Sequence, residues 1–282
     1  MSIEDLCRLF GKRRQWYYAS RGRVVSERQR RKLLLIYVEY YRWLWPRLGG
    51  VKLHVLLKEE LGERITRGRD SFLHFLSSEG LLLPKVKRRC TTNSKHAFRK
   101  YPNLIQGLEI QQVNQVWVSD ITYIWIAGDV LYLHLVTDVY SHAIIGWCLS
   151  ETMEATHTVE ALEMAIRMAG GGNLCGTTHH SDRGMQYACN MYVSTLMEHH
   201  IRISMTERYN PTDNAVAERQ NGILKTENIY LKEMFHDFEE AKREIARSIT
   251  FHNWQRPHMS IGMKKPMEVY RGETPGKKLW KK

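Results

Sequence analysis

The amino-acid sequence predicts an α/β fold, a mixed five-stranded sheet flanked by helices, preceded by a basic all-helical region. Two observations predict it. β-Branched and aromatic residues form five short runs after residue 115, with helical patterns between the later ones. Residues 1–100 hold 24 Lys and Arg against 9 Asp and Glu, a net charge of +15, whereas residues 101–282 hold 18 against 21, a net charge of −3. The chain therefore divides into two parts that differ in charge and in secondary structure.

Composition argues against a membrane-spanning or secreted chain. The 282 residues are 43% hydrophobic, which is enough for a globular core. Apolar runs such as residues 33–41 fall well short of the roughly 18 residues that a membrane span needs, and the acidic start does not resemble a secretory signal. Five scattered cysteines include no Cys-x-x-Cys pair, which predicts reduced, mostly structural thiols. We expect a cytoplasmic protein.

The N-terminal region is predicted to be helical throughout. A break at Gly11 separates two short helices, an arrangement typical of a small helix-turn-helix. A long helix follows, and the last helix ends at Gly80. The predicted helices span residues 2–10, residues 13–19, a long stretch from about Ser26, and residues 71–79.

Cations crowd this helical region, with aromatic residues among them and few acids. A solvated charged face is the ordinary explanation of such a run, but the combination with aromatic residues favours contact with nucleic-acid phosphates. A second basic run at residues 85–89 leads into a polar stretch, which predicts a linker and a domain boundary near residue 100. The candidate DNA-binding residues here are Arg13, Arg14, Lys87 and Arg88.

Five strands are predicted beyond residue 115. Short polar turns separate the first three strands, which predicts an antiparallel meander. Helices then alternate with two further strands, and such mixed connectivity implies helices on both faces of the sheet. The predicted strands span residues 116–126, 130–137, 143–149, 177–180 and 201–205, and the predicted helices between them residues 156–169 and 188–199.

Three acids occupy distinct places in this pattern. Asp120 lies within the first strand, Asp182 lies just past the end of the fourth strand, and Glu218 lies early in a helix. Asp213 or Asn214 can cap that helix. Each acid alone has an ordinary explanation, as a satisfied buried acid, a turn former or an exposed helix residue. Together they predict a site, because strand, strand end and helix can converge on one point.

Three converging acids repel one another unless a cation neutralises them. Ligands that are all oxygen favour Mg²⁺ or Mn²⁺ over zinc or copper. Two such ions can activate an attacking oxygen and stabilise a leaving oxygen in phosphodiester displacement. We therefore expect Asp120, Asp182 and Glu218 to bind two divalent ions and to catalyse phosphoryl transfer.

The helix that carries Glu218 supports this hypothesis. Asn214, Glu218, Asn221 and Lys225 recur at steps of three and four residues, so they share one helix face. A solvent-facing helix is the alternative. However, the face combines an acid for metal with a cation for phosphate, which suits an active site acting on a DNA strand.

These motifs resemble the DDE signature of insertion-sequence transposases related to retroviral integrases. The resemblance covers most of residues 100–272 and is closest to the downstream reading frame B of the insertion-sequence-three family. The matching features are Trp117-Val118-Ser119-Asp120-Ile121-Thr122, His180-Ser181-Asp182-Arg183-Gly184, the 35 residues between Asp182 and Glu218, Lys225 seven residues later, Asn253 and Arg256-Pro257-His258.

The resemblance implies a ribonuclease-H-like catalytic core over residues 101–272, followed by a basic tail over residues 273–282. It implies hydrolysis of a phosphodiester, which frees a 3′-hydroxyl that the same site directs at a second phosphodiester. His179 and His180 would assist proton transfer or be structural, and Arg256 and His258 would touch DNA or pack the last helix. The DNA-binding residues that it implies are Lys225, Asn221, Tyr209, Asn210 and Arg256.

The implied partners are element-end and target DNA, further copies of the chain on that DNA, and a DNA-binding protein from an upstream reading frame to which this chain is fused. Two other functions fit the same residues. One is a nuclease that cuts nucleic acid and never joins it. The other is a non-catalytic DNA-binding regulator derived from a transposase, against which the three acids argue.

Overall fold

The computed structural model describes Glu4, Cys7, Arg8, Gly11 and residues 13–83, 99–127, 129–206, 215–229 and 235–273. It describes only the backbone of residues 14, 16, 17, 19–25, 64, 215–218, 220 and 226. These parts form two compact units, one over residues 13–44 and 48–83 and the other over residues 45–47 and 99–273. The segment before the boundary predicted near residue 100 lies outside the described residues, and that boundary stays a prediction.

The first unit is helical, as the sequence predicts. Its apolar core is lined by Leu34, Val38, Leu53 and Phe72, each at most 1% exposed. Polar contacts fix the helices around this core, among them a hydrogen bond of 2.8 Å from Arg30 Nη1 to a backbone carbonyl oxygen. The helices are α1 (Arg14–Leu44), α2 (Gly50–Leu61), α3 (Glu63–Thr66) and α4 (Arg69–Ser78).

The course of α1 corrects the predicted bounds of two helices, those over residues 13–19 and from about Ser26, and the helix-turn-helix stays a prediction. Residues 13–19 do not form a separate short helix, because α1 runs without interruption from Arg14 to Leu44. The stretch between the two predicted helices contains no proline, and a lone Gly22 inside a helix costs only about 1 kcal/mol relative to alanine. Most of the helix predicted over residues 2–10 lies outside the described residues.

The second unit is built on a five-stranded sheet with the order β3-β2-β1-β4-β5. β1, β2 and β3 pair in antiparallel fashion, and β4 pairs in parallel with both β1 and β5. The antiparallel meander and the mixed sheet are therefore confirmed. The strands are β1 (Val116–Ile126), β2 (Asp129–Asp138), β3 (Ile144–Ser150), β4 (Thr178–Ser181) and β5 (Arg202–Met205).

Helices follow the strands in the predicted order, with one difference. The helix predicted over residues 188–199 starts earlier and is split at Cys189, whose backbone is extended with φ −68° and ψ 153°. The helices are α5 (Ala155–Met168), α6 (Met185–Ala188), α7 (Asn190–Glu198), α8 (Ala215–Glu227), α9 (Phe238–Trp254) and α10 (Pro266–Tyr270), with a 3₁₀ turn at Met259–Ile261. Among the helices of the described residues, none is both long and apolar enough to cross a membrane.

Helices cover both faces of the sheet, as the connectivity predicts. Successive residues of a strand point to opposite faces. Ile121 of β1 packs into the apolar cluster formed with α5, α6 and α7. Its neighbours Asp120 and Thr122 bond to side chains of α8 on the other face. On the edge strand, the amide of Asn253 from α9 donates to the carbonyl oxygen of Ile144 at 2.8 Å and accepts from its backbone nitrogen at 3.0 Å.

Gly146 lets α5 approach β3 very closely. A Cβ atom at this position would lie 2.0 Å from the carbonyl oxygen of Ala161 and 3.0 Å from the backbone nitrogen of Ala165. Both atoms belong to the helix backbone, so they cannot move aside as a flexible side chain can. The close packing of α5 on the sheet therefore requires glycine here.

Gly146→Ala is expected to destabilise the protein by at least about 1 to 3 kcal/mol, because the helix must shift to admit the methyl group. Urea unfolding followed by circular dichroism measures the change. The matched control is Gly176→Ala, where a Cβ atom would have no heavy atom within 4 Å. Equal unfolding midpoints for the two variants would show that α5 does not pack as described.

His134 joins β2, β3 and α5 inside the same packed region. Its Nδ1 lies 2.8 Å from Thr158 Oγ1 and its Nε2 lies 3.1 Å from Ser150 Oγ. The ring is 1% exposed. Burial lowers the pKa of His134 to about 4, with a smaller contribution in the same direction from His157. The folded protein therefore holds this imidazole neutral at neutral pH.

Because the pKa of His134 is lower in the folded than in the unfolded chain, the unfolded chain takes up more protons as the pH falls below about 6.5. His134 thus contributes stability that is present at neutral pH and is lost towards pH 4. Between pH 7 and pH 5 the loss is expected to be about 2 kcal/mol larger for the natural chain than for His134→Gln. Urea unfolding at both values tests this, with exposed His236→Gln as control; parallel profiles for all three proteins would contradict it.

Candidate active site

Asp120 lies on the face of β1 that α8 covers. Its Oδ2 accepts a hydrogen bond of 2.5 Å from Asn221 Nδ2, and its Oδ1 accepts one of 3.0 Å from the backbone nitrogen of Ile121. Two residues along the same face, Thr122 Oγ1 accepts a hydrogen bond of 2.9 Å from Lys225 Nζ. Helix α8 is therefore attached to β1 by two polar side chains that lie four residues apart, one helical turn.

Lys225 brings a cation close to Asp120. Burial lowers the pKa of the Lys225 ammonium, and the negative charge of Asp120 partly opposes that shift. Opposite charges within a few ångströms stabilise each other's ionised forms. The pair of Asp120 and Lys225 thus forms the charged centre of the contact between α8 and the sheet.

Asp182 stands beside Asp120 because of the parallel register between β1 and β4. Val118 pairs with His180 in that register. Each acid lies two positions beyond this pair, so Asp120, within β1, is level with Asp182, just past the carboxyl end of β4, and neighbouring strands are about 4.8 Å apart. Asp182 thus lies at the kind of strand end where ligand sites of open α/β sheets gather. The structure thus brings two of the three predicted acids together.

The turn after β4 fixes the orientation of Asp182. Its Oδ1 accepts a hydrogen bond of 2.9 Å from the backbone nitrogen of Gly184. A Cβ atom on residue 184 would lie 2.9 Å from that same oxygen. Glycine at this position allows the backbone to approach the carboxylate closely enough to donate to it.

Burial and the negative charges of both aspartates affect the pKa of Tyr187, which lies in α6. Burial raises its pKa well above the usual value, and the negative charges of Asp120 and Asp182 raise it further. Its hydroxyl is fully buried and has no hydrogen-bond partner in the part of the chain that the structure describes. An unpaired buried hydroxyl carries a desolvation cost of about 1 to 3 kcal/mol. Tyr187 is thus a buried polar group close enough to both carboxylates to be affected by their charge, and no described residue accepts a hydrogen bond from it.

Glu218, the third predicted acid, lies in α8. Its position is three residues before Asn221 and seven before Lys225, so the helical repeat places it on the same face as those two. The structure describes the backbone at this position and not the side chain. The convergence of Glu218 with the two aspartates stays a prediction.

A buried hydrogen-bond network supports the two strands behind the acids. His179 Nε2 lies 2.7 Å from Ser119 Oγ and 2.9 Å from the hydroxyl oxygen of Tyr192. Burial lowers the pKa of His179 to about 3, and His180 contributes to the shift. On the next strand pair, His180 Nδ1 lies 2.8 Å from Ser204 Oγ. Both histidines are buried within the sheet, which is the structural alternative stated for them.

Comparisons with known proteins agree with this geometry. Two family profiles described as Integrase core domain match residues 110–211 and 199–266. The insertion element IS600 uncharacterized 31 kDa protein of Shigella sonnei is 35% identical over 265 residues, which cover 91% of this chain and 94% of the relative. The putative transposase for insertion sequence element IS986/IS6110 of Mycobacterium tuberculosis is 33% identical over 187 residues, 65% of this chain and 67% of the relative.

The chain belongs to the insertion-sequence transposases with an integrase core domain.

Membership of this transposase family makes the chain a DDE-type polynucleotidyl transferase that cleaves and transfers strands. The fold agrees with a solved structure as well. In the simian T-cell lymphotropic virus intasome, solved with the PP2A regulatory subunit B56 gamma, a chain aligns with a TM-score of 0.51 and 17% identity, covering 83% of this chain and 78% of that one. At this identity the likeness concerns the fold alone. The expected ribonuclease-H-like sheet is confirmed.

The DNA-binding residues predicted for the transposase core have different positions in the structure. Asn221 is 5% exposed and is bonded to Asp120, and Lys225 is half-buried on Thr122, so both face β1. Tyr209 and Asn210 lie outside the described residues. In the first unit, Arg13 is exposed, Arg14 is described by its backbone alone, and Lys87 and Arg88 lie outside the described residues.

The position of Arg256 contradicts its predicted contact with DNA. Its side chain is 1% exposed, and its Nη2 and Nε donate to Glu227 Oε2 at 2.8 Å and 3.1 Å. The guanidinium lies over the ring of Trp45, which stacks on Phe251 with ring centroids 5.2 Å apart. A guanidinium enclosed in this way does not meet DNA, so the packing alternative is the correct one. His258 is likewise buried, with its Nδ1 2.8 Å from Ser260 Oγ.

Glu227 is the shared partner in contacts with Trp45, Arg47 and Arg256, and we call this group of residues the Glu227 anchor. Its Oε2 also accepts a hydrogen bond of 3.1 Å from Trp45 Nε1, and its carbonyl oxygen accepts one of 2.9 Å from the backbone nitrogen of Arg47. Burial lowers the pKa of Arg256, and Glu227 opposes the shift. The anchor fixes the last residue of α8, the helix that carries Glu218.

Several residues of the site were not found by sequence analysis. Ser119, Thr122 and Tyr192 hold the site through hydrogen bonds, and Tyr187 places its hydroxyl beside the acids. Ser119 precedes Asp120 by one residue and Thr122 follows it by two, so β-strand alternation could have predicted the sheet face on which each side chain lies. The role of Tyr187 left no such signal, because a tyrosine in a short helix is ordinarily a core residue.

Arg256→Ala is expected to destabilise the protein by on the order of 3 kcal/mol, since it leaves Glu227 without its buried partner and opens space against Trp45. Urea unfolding measures the loss. Arg243→Ala on the exposed side of α9 is the matched control and should change the free energy of unfolding by less than about 0.5 kcal/mol. If the two variants unfold at the same midpoint, the Glu227 anchor does not stabilise the fold.

Proposed function

We propose that Asp120, Asp182 and Glu218 are the catalytic and metal-binding residues of this transposase. The observation that supports the proposal is the level placement of Asp120, within β1, and Asp182, just past the carboxyl end of β4. Helix α8 lies against β1 at this point and carries position 218 on the same face as Asn221 and Lys225. The Glu218 side chain would therefore reach the two aspartates by extending from α8 towards β1.

The residues present fit Mg²⁺ or Mn²⁺, and we propose two ions per site. Carboxylate oxygens are hard donors of the kind these ions prefer. The buried hydroxyl of Tyr187, without a partner among the described residues, adds a polar atom beside the acids. When bound, divalent ions would neutralise the carboxylates and stabilise negative charge on the oxygens of the reacting phosphodiester.

The chain's own residues would orient the reaction. Asn221 holds Asp120 in place through its amide, and the turn amide of Gly184 holds Asp182. Lys225 supplies a fixed positive charge near the point where a phosphate would meet Asp120. Ordered donors and charges that exist before the reaction lower its barrier without reorganisation. We assign Asn221 and Lys225 to positioning of the site and of the DNA strand.

The basic region would hold the DNA. The exposed side chains of Arg13, Arg28 and Lys32 belong to the first unit. Some neighbouring cations are already paired, since Arg30 and Arg67 both bond to Glu27. The two arginines lower the pKa of Glu27, and Arg30 contributes most. We propose a DNA-binding region over residues 1–100, a catalytic core over 101–272 and a basic tail over 273–282, with Arg14, Lys87, Arg88, Tyr209 and Asn210 as further DNA contacts.

The proposed partners are the ends of an insertion sequence, target DNA and further copies of this chain assembled on that DNA. A DNA-binding protein from an upstream reading frame is proposed as a fusion partner that recognises the ends. The proposed place of action is the bacterial cytosol and nucleoid. A nuclease that cuts without joining is the competing function, and joined DNA products separate the two.

Asp182→Asn is expected to reduce strand transfer to less than about one hundredth of the natural rate, because even second-layer changes at metal sites cost 10-fold to 100-fold. Joining of labelled element ends to a plasmid with Mg²⁺ or Mn²⁺ measures transfer, with the end sequence to be taken from terminal inverted repeats sought in the DNA that flanks the gene. DNA binding, followed by mobility shift, should be retained.

Glu198→Gln is the matched control, because Glu198 is an exposed acid at the end of α7, and it should join ends at the natural rate. Strand transfer by Asp182→Asn at the natural rate would refute the proposed site. Cleavage without joining by the natural chain would favour the nuclease instead.

A further inference from the structure

A second group of metal-binding side chains lies on the surface of the catalytic unit. It consists of Cys148 on β3 and His157 and Glu160 on α5, and we call it the thiol cluster. One ligand atom from each side chain lies within 4.8 Å of the other two. The cluster shares no residue with Asp120, Asp182 and Glu218. It also contains the soft and borderline donors, sulfur and nitrogen, that the carboxylate site lacks.

The separations lie in the range from which a tetrahedral zinc site can form, with the two shortest made to the two different oxygens of Glu160. Bonds of 2.0 to 2.3 Å to oxygen, nitrogen and sulfur place neighbouring ligand atoms roughly 3.3 to 3.7 Å apart. Cys148 Sγ lies 3.1 Å from Glu160 Oε2, and His157 Nδ1 lies 3.6 Å from Glu160 Oε1. Small rotations of side chains that are partly open to solvent would complete the geometry.

The scaffold under the thiol cluster is rigid. His157 and Glu160 are three residues apart on α5, so they share a face. Gly146, two residues before Cys148 on β3, lets α5 lie in backbone contact with that strand. His134 ties the same strand region to α5 through Thr158 and Ser150. Sites built on packed helices and strands hold ligand geometry better than sites on loops.

A reactive cysteine is the other chemistry that such a cluster suggests, and the surroundings argue against it. Burial, followed by the hydrogen bond to Glu160, raises the pKa of the Cys148 thiol to about 12. Reactive cysteines have a lowered pKa, since the thiolate is the nucleophile. The nearby Lys242 opposes the shift without reversing it. The thiol is therefore held protonated beside Glu160, and a divalent cation would have to replace that proton to bind the sulfur.

We propose that Cys148, His157 and Glu160 bind one divalent ion of the zinc class, which joins α5 to β3. Three protein ligands leave a fourth position for water. Binding forms a bond from Cys148 Sγ to the ion and releases the thiol proton to solvent, with no change in oxidation state. Softer ligands select zinc over magnesium, so the two metal sites of the chain would not compete for one ion.

Cobalt provides the test, because Co²⁺ occupies zinc sites and a thiolate bond to it gives a charge-transfer absorption band that carboxylate ligands do not give. The full chain, freed of metal with a chelator, is titrated with Co²⁺ in excess Mg²⁺, which occupies the carboxylate site. The natural chain should develop the band with one equivalent of Co²⁺ and lose it when Zn²⁺ is added.

Cys148→Ser should abolish the band. Cys175→Ser, a change at an exposed free cysteine outside the cluster, is the matched control and should keep it. His157→Gln and Glu160→Gln should each weaken Co²⁺ binding by at least about 10-fold. Circular dichroism without metal should be unchanged in all four variants, because the substituted side chains are not buried.

Zinc should also raise the melting temperature of the natural chain and of Cys175→Ser, and not that of Cys148→Ser, because a ligand that binds only the folded state stabilises it. A natural chain without a thiolate band, or a band that survives in Cys148→Ser, would overturn the proposal. Neither outcome bears on strand transfer, which depends on other residues.

Discussion

The parallel pairing of β1 with β4 is the constraint on which the candidate active site depends. It places Asp120, within β1, level with Asp182, just past the end of β4, where the backbone nitrogen of Gly184 donates to the Asp182 carboxylate. Two acids so close together favour a neutral or cation-bound state. The protein offsets this repulsion with an amide from Asn221 and an ammonium from Lys225, both on α8. The site is thus assembled across three elements that are distant in sequence, and the sheet sets their spacing.

Helix α8 connects this site to the rest of its unit. Near its middle it bonds to β1 through Asn221, and at its last residue it enters the Glu227 anchor, where Arg256 is buried against Trp45. A buried ion pair is expensive to form and costly to break. Its value here is positional, since it fixes the last residue of a short helix whose middle is bonded to β1. Contacts at these two places resist rotation of the face that carries Asn221 and Lys225 away from the strand.

The sequence allowed much of the fold to be predicted, because strand alternation and helix periodicity are local. The meander and its turns followed from residues 116–149, Asp120 was placed within the first predicted strand, and Asp182 was placed just past the end of the fourth. The continuity of α1 was missed, because the residues between 19 and 26, which include Gly22, show no strong helical pattern and yet contain no proline to end a helix. Arg256 was misassigned in part, because its partners Glu227 and Trp45 are far away in sequence. From the sequence alone, an arginine on the surface cannot be distinguished from an arginine buried in an ion pair, because the distinction depends on tertiary contacts.

The second unit is assembled from two separate stretches of chain, because residues 45–47 belong to it and residues 48–83 do not. Trp45 supplies a fully buried ring, and Arg47 supplies a backbone donor to Glu227. Truncation at a linear boundary would therefore not yield an intact catalytic fragment. A fragment that begins after residue 47 would expose the flank of Arg256 and Phe251 to water. Expression of the catalytic unit alone would need a shortened connection that retains those three residues.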